Sequence, residues 1–161
     1  MFRSILVAVD GSPAATEALR EAIDLARGGG ARLTLISVAA PPRFVLAGPY
    51  IAPIATEEDL LRQAGRVLER AEALVPDDVP VSTVVRRGPA AKAILDRAEA
   101  GGHDLVVMGS RGLGRVAALL FGSVSRAVLA RSPVPVLIAR AAPKQADQPE
   151  QQPHERFATQ F

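Results

Sequence analysis

The chain has 161 residues, 48% of them apolar and 22% charged, which is enough to close one core and too short for two. It holds no cysteine, which excludes a disulfide framework and a thiolate metal centre. Nineteen basic residues against seventeen acidic leave a formal charge of +2, and with one Tyr and no Trp there is little for bases to stack on, so no nucleic-acid partner is expected.

The first apolar run, Ile5 to Val9, reads as a strand that ends at Asp10-Gly11-Ser12. It is too short for a signal-peptide core, and no stretch approaches the ~20 apolar residues of a membrane span. The expectation is a cytoplasmic protein with no membrane partner. Ser12-Pro13 has the form of an N-cap followed by a first-turn proline. Ala15, Ala18, Leu19, Ala22 and Ala26 then make one helical stripe, which stops at Gly28-Gly29-Gly30.

Leu33 to Val38 is the second strand. Ala39 to Ala55, with Phe44, Tyr50 and four prolines, reads as a long loop over one edge of the sheet. Thr56-Glu57-Glu58-Asp59 approximates a capping box with Asp in the acceptor place. The helix that follows would bury Leu60, Leu61, Ala64, Val67, Leu68, Ala71 and Leu74 and stop at Pro76. Val81 to Val85 is the third strand. Gly88-Pro89 opens a third helix, with Ala90, Ala93, Ile94 and Ala98 facing inward, and Gly101-Gly102 closes it. Leu105 to Met108 is the fourth strand. A last helix follows Gly122-Ser123, buries Val124, Ala127 and Val128, and halts at Ser132-Pro133, before a fifth strand at Val134 to Ile138.

Continuous apolar runs, rather than alternating ones, suggest strands covered on both faces, as in parallel sheets. Strict alternation with helices predicts an α/β fold: a single-domain, open, five-stranded parallel sheet with right-handed crossovers and helices on both faces. That domain spans 1–140. Residues 141–161 are polar and aperiodic, and are expected to be a disordered tail.

In open sheets of this kind, ligands gather beyond the C-terminal ends of the strands. One of those ends carries Met108-Gly109-Ser110-Arg111-Gly112-Leu113-Gly114-Arg115 and, further on, Gly122-Ser123-Val124-Ser125. Glycines let backbone N–H groups approach an anion, and a helix N-terminus adds donors and a positive dipole end. Ser123 and Ser125 bring hydroxyls; Arg111 and Arg115 bring charge. This is an inventory for holding phosphates. The P-loop is excluded, since no Gly-Lys pair occurs, and the dinucleotide fingerprint fails because Ala117 stands where its third glycine belongs.

The spacing Gly-x2-Gly-x9-Gly-Ser, met by Gly109, Gly112, Gly122 and Ser123, resembles the ATP-binding branch of the universal stress protein family. Val7 to Ser12, Asp104 to Ser110 and Ser132 to Leu137 carry the likeness through residues 3 to 140. The resemblance implies strand order 3-2-1-4-5, an adenine-nucleotide alpha-hydrolase-like fold and a homodimer through the fifth strand. It also implies ATP or another adenine nucleotide as ligand, with Mg or Mn beside it, and a regulator of the stress response rather than an enzyme. Alternatives are a slow ATPase or nucleotidyl-transfer enzyme, and a dimeric interaction protein with a vestigial site. Carried over by position, Ala8 and Asp10 would lie near ribose and adenine, and Val38 would touch adenine through its backbone. Gly109, Gly112, Gly122, Ser123 and Val124 would line the phosphates, with Met108, Arg111 and Ser125 beside them.

Some residues have two readings. Asp10 serves equally to tighten the Asp-Gly-Ser turn. Arg86-Arg87, at the third strand's end, either flank the site or are a solvated pair. Met108 is most simply core, and His103 is expected at the surface.

Overall fold

The structure is a computed structural model that describes residues 1–41, 44–47, 50–53, 55–110 and 122–141. Chain order is β1 (Ser4–Ala8), α1 (Pro13–Gly29), β2 (Arg32–Ala39), β3 (Phe44–Ala47), β4 (Tyr50–Pro53), α2 (Glu57–Glu72), β5 (Val81–Arg87), α3 (Ala90–Ala100), β6 (Leu105–Gly109), α4 (Ser123–Arg131) and β7 (Val136–Ala139). Five strands form one parallel sheet in the order β5-β2-β1-β6-β7. This is the 3-2-1-4-5 order expected. The connection out of β1 leads to β2 on one side, while β6 returns on the other, so the order reverses between β1 and β6.

Side-chain alternation builds two cores. Ile5, Val7, Leu33, Leu35, Leu105 and Val107 meet Leu19, Ala22 and Ile23 of α1 and Leu68 of α2. Leu6, Ile36, Val106 and Met108 meet Ile94 and Ala98 of α3 and Val128 of α4 on the other face. Alanines along α1 keep that helix close to the sheet: Ala18 and Ala22 are fully buried.

The helix ends follow their residues. Ser12 Oγ accepts from Ala15 N–H at 3.2 Å, and Gly30 closes α1 in the left-handed conformation at φ 65°. At α2 the capping box is complete. Thr56 Oγ1 accepts from Asp59 N–H, and Asp59 accepts from Thr56 N–H. The Thr56 hydroxyl, then Arg62, hold the Asp59 carboxyl down to about 2.

Several expectations need correction. The 39–55 segment contains the antiparallel hairpin β3–β4, because strands this short and at an edge tolerate the prolines that argued for a loop. β5 is not covered on both faces; Ser82 and Thr83 are exposed on this edge strand. Leu74 is 56% exposed, since α2 ends at Glu72, before it. β7 starts at Val136 rather than Val134, after Pro135. Leu60, Leu61, Val67, Ala90, Val124 and Ala127 are only half-buried. His103 is 5% exposed, not a surface residue. The tail from residue 142 lies outside the described residues.

Candidate functional site

Parallel pairing brings the C-terminal ends of β2, β1 and β6 to one edge. Ala8 is in register with Ile36 on one side and Met108 on the other, and Val9 N–H donates to the Ile36 carbonyl at 2.9 Å. Half-buried Ala8 and Val38 and buried Met108 lie on the face covered by α3 and α4, with Val124 in the same cluster. They form a small apolar floor under that edge.

Asp10 begins the loop above it. Its Oδ1 accepts from Ser12 N–H at 2.9 Å, which is the turn-tightening bond its sequence context suggested. Gly11 at φ 80° occupies the left-handed region, where a side chain would be strained.

Gly109, at the end of β6, needs its missing side chain for packing. A Cβ there would stand 2.8 Å from the Ala14 carbonyl carbon and 2.9 Å from both Ala14 Cβ and Ala15 N. The first turn of α1 therefore rests directly on the β6 backbone.

Ser110 stands in the strand-end sequence directly after Gly109, with no role of its own assigned from sequence. It is buried. Its N–H donates to the Ala139 carbonyl at 2.7 Å, and its own carbonyl accepts from Gly122 N–H at 2.8 Å and from Ser125 Oγ at 3.0 Å. Residues 110 and 122 are thereby joined across the glycine-rich segment. Ser125, 2% exposed, also reaches the Gly122 carbonyl at 3.0 Å, so its hydroxyl is directed onto protein carbonyls.

Gly122 is the N-cap of α4, with φ −72° and ψ 166°, an extended conformation open to any residue. Gly122 offers no side chain to cap this helix, and the first turn holds no acid. The N–H groups of Ser123, Val124 and Ser125 have no acceptor within the helix, by the geometry of a helix start. The start of α4 is tied to the end of β6 through Ser110, and its Val124 belongs to the same cluster as Ala8, Val38 and Met108. Arg111 and Gly112, with Gly114 and Arg115, lie outside the described residues.

Among the described residues no group of three or more His, Asp or Glu side chains gathers as a metal site. Asp10 is the acid at the described strand ends. One carboxylate with a ligand's phosphates suits the way magnesium is commonly held.

A parallel sheet with helices on both faces and its order reversing between β1 and β6 defines the doubly wound α/β class, whose ligands gather beyond the strand ends. The model of the universal stress protein family matches residues 1–140, and the chain belongs to that family. A universal stress protein of Thermus aquaticus is 40% identical over 142 residues, covering 87% of this chain and all of that one. Among solved structures, the hypothetical protein MJ0577 aligns with a TM-score of 0.73 at 22% identity, over 89% of this chain and 99% of its own, and shares the fold. A universal stress protein solved in complex with cAMP is 26% identical, with a TM-score of 0.58, covering 88% of this chain and 98% of that one.

Proposed function

We propose that this chain is a cytoplasmic stress-response regulator that binds ATP or another adenine nucleotide at the C-terminal ends of β1 and β6. The observation that carries the reading is the meeting of the apolar floor of Ala8, Val38 and Met108 with the uncapped start of α4. A base is flat and apolar; a phosphate seeks N–H donors and positive charge. The edge offers each in its own place. The cAMP complex of a relative supports the same ligand class.

In this reading Ala8, Asp10 and Val38 hold the nucleoside, and Met108 lies under it. Gly109, Gly112, Gly122, Ser123 and Val124 line the phosphates, with Arg111 supplying charge. Ser125 keeps its place by fixing the helix start. Asp10 is the residue to hold Mg or Mn when such an ion accompanies the phosphates; the ion would offset their charge. Hydrolysis needs a positioned water and a base, and Asp10, already engaged with Ser12 N–H, is the single acid available among the described strand ends. We therefore infer binding without turnover.

Calorimetry with ATP and magnesium tests this. Wild type should bind, and Gly122→Val should abolish binding while circular dichroism stays unchanged. Ser123→Ala should cost about 1.5–3 kcal/mol, roughly ten- to a hundredfold in affinity, if its hydroxyl reaches a charged oxygen. No binding at millimolar ATP to folded wild type would defeat the proposal.

A further inference from the structure

Beyond the residues already placed at the edge, the sheet register identifies one more. Arg86 is paired with Val38 across β5 and β2. Val84 packs with the α3/α4-side cluster and Val85 with the opposite one, so alternation puts Arg86 on the same face as Val84, Val38, Ala8 and Met108. Arg87 points the other way, where it forms an ion pair with Glu57 of α2 at 2.8 Å. Arg86 has no carboxylate partner among the described residues. Among the described residues its guanidinium donates only to the carbonyl of Val85, its own neighbour, at 3.3 Å. The adjoining start of α3 contains no acid in its first turn.

We infer that Arg86 is a base-contacting residue of the nucleotide site, laying its guanidinium plane against the ring that rests beside Val38. This rests on the reading above and extends it. Distance separates this role from phosphate binding. Neighbouring strands stand about 4.8 Å apart. β5 is therefore one strand from Val38 but three strands from β6, where Gly109 and the start of α4 take the anionic end. An arginine that borders an apolar floor suits a flat, electron-rich ring, since its planar cation stacks as well as donates.

The test is calorimetry on the full chain with adenosine, AMP and ATP. Wild type is compared with Arg86→Ala, Arg86→Lys and the control Arg87→Ala. Arg86→Ala should weaken all three ligands by a similar factor, about three- to thirtyfold, because each carries the same base. Arg86→Lys should recover little, having charge without a plane, and Arg87→Ala should match wild type. Three results overturn the inference while leaving the site intact: wild type binds and Arg86→Ala stays within twofold, Arg86→Lys restores wild-type affinity, or the loss appears only with AMP and ATP. Wild type that binds none of the three overturns the site reading together with it. Arg86 is exposed, so each variant should fold, and circular dichroism verifies this.

Discussion

His103 shows how much one side chain's surroundings can decide. Its Nδ1 lies 2.9 Å from Ser4 Oγ, while Nε2 is buried with no partner among the described residues. Arg32 Nε also donates to Ser4 Oγ, at 3.3 Å. Burial first, then the charges of Arg97 and Arg32, push the imidazole below its usual 6.5, against a smaller pull from Asp104 and the Ser4 bond. The folded chain thus refuses a proton that the unfolded chain accepts. Stability tied to His103 is complete above about pH 6.5 and falls as the pH drops through that value toward the folded pKa. Urea midpoints at pH 7.5 and 5.5 should differ more for wild type than for His103→Gln, which can still bond to Ser4. Equal differences would remove His103 from the acid response. Gly-Gly before His103 suggested a surface turn, and nothing local reveals that Ser4, 99 residues away, closes over the ring.

Among elements, α1 rests directly on the backbone of β6. Gly109→Ala forces a methyl group against the backbone of Ala14 and Ala15. Overpacking of this kind costs about 1–3 kcal/mol, and more where backbone must yield. Denaturant unfolding should show that loss without any nucleotide present; an unchanged midpoint would mean that α1 moves aside freely. Strands and helices were legible because apolar runs, capping residues and Gly or Pro stops all agree. The β3–β4 hairpin was not, since its two four-residue strands sit among prolines. In the site, the glycine spacing pointed to the edge where we propose the nucleotide binds, but spacing does not say what each glycine does. Gly109 admits the first turn of α1, and Gly122 has no need of glycine's backbone freedom. Ser125 offered a hydroxyl in sequence that the fold spends on Ser110 and Gly122.

At the scale of the molecule, the two sheet edges differ. β5 ends in Arg86 and Arg87 and exposes Ser82 and Thr83, features that discourage pairing with another strand. β7 is four residues long and apolar, with Val136, Leu137 and Ile138 only half-buried. The dimer we propose accordingly forms through β7 and neighbouring Val134. Light scattering at micromolar concentration should give twice the 16.9 kDa of one chain, and Ile138→Lys should return it toward a monomer. A monomeric wild type would refute the arrangement.

The bond between Ser110 and Gly122 has a consequence of another kind. Considered as a polymer, the chain joins Ser110 and Gly122, twelve positions apart in sequence, at 2.8 Å. Bringing together the ends of a span this long costs about 2 kcal/mol in chain entropy, apart from a constant term. That cost falls within folding and is not incurred again on association. A nucleotide at the site we propose would meet Ser110 and Gly122 already side by side.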